Sequence, residues 1–273
     1  MQLPKKQPPL SSSTPSPSFA GGEFYTTHML HKTKGIVFKT VKYGETSVIA
    51  TLYTELFGIQ SFMINGVRTA ARSATGKANL LQPAAILDVI MYHNDKKNLQ
   101  RIKEFRWSYL YKDLFYNVVK NCIALFMVEL LQKTLKEPEV NPELFNFLED
   151  AFIHLDESND KVMANYPLFF ALHLTSFYGF RFSDTWTETC PILDLREGQF
   201  VSEVPEHPYF LQGNASFITS QLLKVQVPDE LNEIRLNQES RRVLLQAYQT
   251  FYALHISDFG TMKTLPVLQE VLS

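Results

Sequence analysis

The hydrophobic residues between positions 34 and 107 occur in short runs that are separated by turn-forming residues. Runs of this length, with alternating apolar and polar side chains, are typical of β-strands. The sequence predicts five strands, at 35–41, 47–53, 59–67, 85–92 and 98–105. Gly44 supplies the backbone freedom for a tight reversal after the first strand, and a loop over 69–79 follows the third. Five such strands predict an OB-type β-barrel.

From residue 110 onward the hydrophobic spacing changes to three and four, the period of an amphipathic α-helix. One such face carries Val119, Ile123 and Phe126, and similar faces recur within 144–155 and 243–254. Asn141 before Pro142 is typical of a helix start. We therefore expect an α+β protein, with an N-terminal five-stranded OB-type barrel followed by a C-terminal α-helical domain.

These patterns predict a division of the chain into three parts. Residues 1–28 contain five prolines and a serine cluster, which predict a disordered leader, and Met29 is an alternative start. Residues 29–107 form the predicted OB-fold domain and 108–273 the predicted helical domain. The helical period lapses at about 182–208, where we expect an irregular insertion with room for a short hairpin.

Charge separates the two predicted domains more sharply than the overall formal charge of −2 suggests. Residues 29–106 hold 12 lysines and arginines against 5 acidic residues, a net charge of +7. Residues 107–273 hold 12 against 22, a net charge of −10. The basic domain therefore favours a polyanionic partner, whereas the acidic domain is expected to repel one and to bind proteins.

The sequence contains no motif that predicts an active site, a cofactor or a metal. HExxH, GxSxG and GxGxxG are absent, and Thr75-Gly76-Lys77 lacks the other residues of a phosphate-binding loop. Cys190 and His207 are two ligands where a structural zinc site needs four. Two cysteines are too few for a disulfide framework, and no apolar run reaches membrane-spanning length, so we expect a cytoplasmic protein without a membrane segment.

Basic residues of the first domain are the candidates for contact with nucleic acid. They surround the first strand, the loop after the third strand and the fifth strand: Lys32, Lys34, Lys39, Lys42, Arg68, Arg72, Lys77, Arg101, Lys103 and Arg106. Aromatic residues that can stack on bases, where exposed, are Tyr43, Phe62, Tyr92 and Phe105. Lysines along a sheet also serve as plain edge protection, so the basic set alone leaves both interpretations open.

An ordered series of short motifs resembles the N-terminal domain of the RecO family of DNA repair proteins. The motifs are Gly35-Ile36-Val37, Tyr43-Gly44-Glu45-Thr46-Ser47, Thr54-Glu55, Gly58, Gly66-Val67-Arg68 and Leu81-Gln82-Pro83. The resemblance continues through 99–104, 169–180 and 265–272. Many members of the family carry a four-cysteine zinc module, but the matching stretch here holds only Cys190. The resemblance therefore implies a zinc-free variant, in which 194–200 is the remnant of that module.

The resemblance implies a bacterial, nucleoid-associated recombination mediator. Such a protein binds single-stranded DNA, and double-stranded DNA more weakly, anneals complementary strands, contacts the single-strand-binding protein SSB and RecR, and helps to load RecA. The SSB tail is acidic and ends in an aromatic residue, so its receptor needs an apolar pocket beside a cation. Arg181, Arg241 and Arg242 are the candidates.

Two other classes of function remain open from the sequence. One is an OB-fold adaptor that binds proteins and has no affinity for DNA. The other is an enzyme that uses the thiol of Cys190, which would need a low pKa and a nearby base.

Overall fold

The computed structural model describes residues 29–67 and 77–272. Its first part is a closed barrel with the strand order β1-β2-β3-β5-β4. The strands are β1 (Leu30–Tyr43), β2 (Ser47–Thr54), β3 (Gly58–Ile64), β4 (Ile86–Tyr92) and β5 (Leu99–Trp107). Neighbouring strands are antiparallel, except that β3 and β5 run parallel. The predicted OB-like barrel and the helical region that follows it are confirmed.

The first and third strands differ from the sequence-based prediction in their bounds. β1 begins earlier, because the residues from Leu30 onward pair with β4, and Leu30 lies opposite Tyr92. These residues are too polar to show as a hydrophobic run. β3 ends at Ile64, and Val67 is buried in the barrel core beyond the last strand pair. The predicted loop over 69–79 falls largely outside the described residues, which resume at Lys77.

The second part of the chain contains six α-helices and two short 3-10 helices, Thr175–Phe177 and Pro228–Glu233, among the described residues. The α-helices are α1 (Val118–Thr134), α2 (Pro142–Glu157), α3 (Asp160–Leu174), α4 (Gly213–Lys224), α5 (Gln238–His255) and α6 (Thr264–Val271). Asparagine side chains cap the N-termini of four of them, at Asn117, Asn141, Asn159 and Asn237. The predicted cap at Asn141 is confirmed, since its side chain accepts the backbone N–H of Leu144 at 2.9 Å.

The region predicted to be an irregular insertion contains a small antiparallel sheet. Its strands are β6 (Ile192–Asp194), β7 (Gln199–Val201) and β8 (Phe210–Leu211), in the order β7-β6-β8. Gly198, at φ +67°, closes the β6–β7 hairpin with an N–H bond to the carbonyl of Asp194 at 2.9 Å. Strands of two or three residues are too short to produce a detectable period, which is why the pattern suggested at most a hairpin.

Two apolar cores meet along β1. Val37 and Phe62 belong to the core inside the barrel. Ile36, Phe38 and Tyr53 point outward and join the core of the helical part. Phe38 stacks on Tyr53 with ring centroids 6.0 Å apart, and Tyr53 stacks on Phe145 of α2 at 6.1 Å. The middle of this strand is therefore buried on both faces, as expected of a continuous hydrophobic run.

Hydrogen bonds reinforce the junction between the barrel and the helices. The Gln132 amide of α1 donates to the carbonyl of Phe38 at 2.6 Å. Lys34 of β1 forms an ion pair with Glu149 of α2, with Nζ and Oε1 2.6 Å apart. Burial raises the pKa of the Tyr53 hydroxyl to about 12, which keeps this hydroxyl neutral in the junction at physiological pH.

A buried carboxylate holds the segment that connects the two parts. Asp156, at the C-terminal end of α2, accepts the backbone N–H groups of Lys112, Asp113 and Leu114 at 2.7–2.9 Å. The ammonium group of the buried Lys120 donates to the carbonyl of Asp156 at 2.7 Å and pairs with Asp113 at 3.2 Å. The buried carboxylate is therefore satisfied by backbone N–H groups, and the buried ammonium by Asp113 and a carbonyl, so neither charge lacks a partner.

Gly58 lies where the backbone of the barrel and the backbone of the helical part are in close contact. It has φ +59°, and a Cβ atom here would lie 2.3 Å from the carbonyl oxygen of Glu139 in the α1–α2 connection. Gly44 has φ +60°, but its Cβ would meet nothing within 4 Å. We expect Gly44→Ala to cost about 1 kcal/mol from backbone strain alone and Gly58→Ala about 3 kcal/mol, because overpacking is added.

Urea unfolding of both variants measures this difference in the free energy of unfolding. Equal losses in the two variants would show that the β2–β3 turn and the α1–α2 connection do not pack as tightly as the structure has them.

Candidate nucleic-acid interface

The predicted basic residues do not share one surface. Lys32 and Lys34 lie opposite Ile90 and Asp88 of β4, and Arg106 lies opposite Asp88 from β5. We call the surface that carries these five residues the β1–β4 face. Its positive charge is largely compensated, because Lys34 pairs with Glu149 and Arg106 pairs with Asp88 at 3.0 Å. The hydrogen bond that Lys34 donates to Glu149 raises the pKa of Lys34, as expected for an ammonium group held in an ion pair.

A second surface lies on the outside of β2, β3 and β5. Side chains alternate along a strand, and Ala50 and Phe62 fill the barrel interior, so their strand neighbours point outward. Register places Ile49 opposite Met63, Thr51 opposite Ser61, Lys39 opposite Thr51 and Arg101 opposite Met63. We call these six residues, Lys39, Ile49, Thr51, Ser61, Met63 and Arg101, the open face. It is a neutral strip with an exposed cation at each edge.

Further cations lie at one end of the open face. Lys77, Arg101 and Lys103 line a single groove together with Met63 and Phe105. The structure thus brings three of the predicted residues together. They lie where β3 has ended at Ile64 and β5 continues to Trp107 without a strand partner on that side among the described residues. Lys42 is exposed at the end of β1, opposite Val48. Arg68 and Arg72 lie outside the described residues.

The four candidate aromatic residues divide by exposure. Phe62 is fully buried in the barrel core, so it does not meet the condition of exposure that stacking on bases requires. Phe105 is half-buried and packs against the same core. Tyr43 and Tyr92 are 50% and 38% exposed and can meet a ligand.

Lys97 and Gln100 were not among the residues predicted to bind nucleic acid. Both line a pocket with Tyr92, Leu99 and Arg101 beside the β4–β5 loop. The available signal was the pair Lys96-Lys97, because this loop is one of the two that OB-folds use to bind oligonucleotides.

Arg181 is at a pocket in the helical part. The pocket has a volume of about 320 Å³, and its lining combines the apolar side chains of Leu172, Phe182 and Leu223 with polar ones such as His173 and Thr185. Asp184 also lines it, but the Ser220 hydroxyl donates to this carboxylate at 2.7 Å and Lys224 lies 3.6 Å away. Arg181 is exposed, so one partly apolar cavity and an available guanidinium occur side by side.

The other two arginines proposed for partner binding differ from each other. The Arg241 guanidinium donates to the carbonyls of Leu236 and Leu272, at 2.7 and 3.3 Å, and burial lowers its pKa. It therefore ties the start of α5 to the end of α6, which gives it a structural role. Arg242, the next residue, is exposed on α5.

The region around Cys190 shows ordinary packing and turn contacts. The Cys190 amide donates to the Thr187 hydroxyl at 3.0 Å, and His207 Nε2 lies 3.4 Å from an Asp194 carboxylate oxygen. Within residues 29–67 and 77–272, no group of three or more His, Cys, Asp or Glu side chains is placed to hold a metal ion. The described part of the chain also contains no helix that is long and apolar enough to cross a membrane.

Comparison with known proteins identifies the family of this chain. Residues 29–111 match the family model for the recombination protein O N terminal, and residues 116–264 match the model for the recombination protein O C terminal. The DNA repair protein RecO of Christiangramia forsetii is 32% identical over 89% of this chain and 99% of its own length. The RecO proteins of Phocaeicola vulgatus and Flavobacterium psychrophilum are 32% and 30% identical over similar shares of both chains. This chain therefore belongs to the RecO family of DNA repair and recombination proteins.

Proposed function

We propose that this protein is a recombination mediator that binds single-stranded DNA along the open face, anneals complementary strands and assists the loading of a recombinase on SSB-coated DNA. The observation that carries the proposal is the arrangement of the open face, in which Lys39 and Arg101 flank a neutral strip of outward side chains. Cations at both edges suit a sugar–phosphate backbone, and small or flexible neutral side chains leave room for bases.

The chemistry of this face explains how annealing proceeds without an active site. Lysine and arginine that bind phosphates release counterions, and this release supplies affinity without using the base edges. The free edges then remain available to pair with a second strand. Neutralised phosphates also repel a second strand less, so the approach of a complementary strand becomes easier.

Single-stranded DNA is the preferred ligand on this account, and double-stranded DNA binds more weakly because its bases are turned inward. The β1–β4 face is a poorer site for either, since Lys34 and Arg106 already have carboxylate partners. The acidic helical part favours a strand path that stays on the barrel.

The helical part supplies the contacts with protein partners in this proposal. The pocket beside Arg181 offers the two elements that an acidic tail with a terminal aromatic residue requires, the apolar wall of Leu172, Phe182 and Leu223 and a cation. We assign the SSB C-terminal tail to this pocket. RecR is a second partner and RecA acts downstream, in keeping with the family, and the protein works beside the nucleoid in the bacterial cytoplasm.

Charge reversal on the open face is expected to weaken DNA binding. A Lys39→Glu, Arg101→Glu double variant should bind a labelled single-stranded oligonucleotide at least about tenfold more weakly near 0.1 M salt, because two phosphate contacts are lost. The slope of log affinity against log salt should fall in magnitude by about 1.4. Fluorescence anisotropy across a salt series measures both quantities.

A Lys161→Glu, Arg235→Glu variant is the matched control, because it carries the same charge change at exposed positions of the helical part. It should bind within about twofold of the wild type, since distant exposed charges are screened. Equal losses in both variants would reduce the effect to net charge and remove the open face as the site. Absence of binding by the wild type at low salt would leave the protein–protein adaptor as the better account.

The pocket beside Arg181 is tested with a short acidic peptide that ends in phenylalanine. We expect Arg181→Glu to weaken binding of this peptide more than about tenfold, because one charge-assisted contact is replaced by repulsion. Arg242→Glu should leave it unchanged. Isothermal titration calorimetry of the three proteins measures the effect, and equal affinities for all three would place the peptide elsewhere.

A further inference from the structure

The β4–β5 loop borders a pocket of about 370 Å³ that shares only Arg101 with the open face. The pocket combines two kinds of wall. Tyr92 and Leu99 supply apolar surface, and Lys97 and Arg101 supply positive charge. Tyr92 and Arg101 lie directly opposite each other on β4 and β5, so the aromatic ring and the guanidinium come from one cross-strand pair.

We propose that this pocket binds one unpaired nucleotide of the DNA strand, with its base against Tyr92 and Leu99 and its phosphate between Lys97 and Arg101. The inference rests on the proposed function and deepens it, because it names the element that distinguishes single-stranded from double-stranded DNA. A base in a duplex is stacked on both sides and has no free face for Tyr92, whereas an unpaired base has a free face that the ring can contact.

A buried side-chain amide, that of Gln100, holds the backbone of the loop that forms the pocket. Gln100 is only 3% exposed, and its Oε1 accepts the backbone N–H of Asn94 at 3.0 Å. Its Nε2 donates to the carbonyls of Asn94 and Lys97 at 3.0 and 2.6 Å. These three bonds fix the backbone on both sides of the loop, so little ordering is required when a ligand binds.

Charge complementarity favours a nucleotide over a neutral apolar ligand. Lys97 and Arg101 are exposed, and the pocket lining contains no acidic side chain among the described residues. Arg101 also forms one edge of the open face and lines the groove with Lys77 and Lys103. A strand that leaves the pocket therefore continues over the cations at the end of the open face.

Two oligonucleotides of equal length separate base contacts from phosphate contacts: a normal strand and one built from abasic residues. Against the normal strand we expect Tyr92→Ala to weaken binding about tenfold and Tyr92→Phe to leave it within about twofold, because the ring stacks and the hydroxyl does not. Against the abasic strand Tyr92→Ala should have no effect. Lys97→Gln should weaken binding of both strands alike, because both retain phosphates.

Tyr116→Ala is the matched control, since this tyrosine is 84% exposed and lies outside the barrel. It should change neither affinity. The inference would be overturned if Tyr92→Ala weakened both strands equally, which would indicate a general structural effect, or if it weakened neither. Failure of the wild type to bind either strand would instead overturn the proposed function itself, and with it this inference.

Discussion

Ile36, Phe38 and Tyr53 point away from the barrel interior, and their burial against the helices determines which parts of the barrel surface remain open to a ligand. Each of them is at most 2% exposed. A small barrel normally has solvent around most of its outer surface, but here part of the outer surface packs against the helices and belongs to their hydrophobic core. Burial of these side chains stabilises the junction by about 2 kcal/mol each at the usual transfer free energies. Of the outer surface that remains exposed, the open face on β2, β3 and β5 is the part that we propose to bind DNA.

The charged residues of the barrel also divide between the side that the helices cover and the open face. Lys34 lies next to the junction, and its ion pair with Glu149 joins the basic barrel to the acidic helices. Lys39 and Arg101 lie farther round the barrel, where register sets them at the two edges of a neutral strip. The basic barrel (+7) and the acidic helical part (−10) therefore do not attract each other uniformly. The cation near the helices, Lys34, is paired, whereas the cations on the open face remain available to a ligand.

Much of the fold was predictable because local patterns agree with the global structure. Strand runs, the Asn141 cap and the change of period near residue 110 all predicted the correct elements. The basic residues were identified as a set, but their division into two faces was not. That division depends on strand pairing and on the bulge between Val37 and Lys39, which shifts the register so that Lys39 points outward.

Long-range contacts account for the rest of what the sequence did not reveal. Arg241 resembled a surface cation on a helix, but its guanidinium reaches the carbonyl of Leu272, which is 31 residues away in the chain. Gln100 resembled an ordinary strand residue, but it braces the β4–β5 loop. Neither contact produces a periodic signal, because each depends on where distant backbone groups meet.

Lysine-directed chemical footprinting tests most directly the claim that the covered side of the barrel leaves the open face for DNA. The full-length protein is modified with an amine-reactive reagent with and without a single-stranded oligonucleotide, and the modification of each lysine is quantified by mass spectrometry. The account predicts that DNA protects Lys39, Lys77, Lys97 and Lys103, whereas Lys32 on the β1–β4 face is modified equally in both samples. Protection of Lys32 with unchanged modification of Lys39 would contradict it.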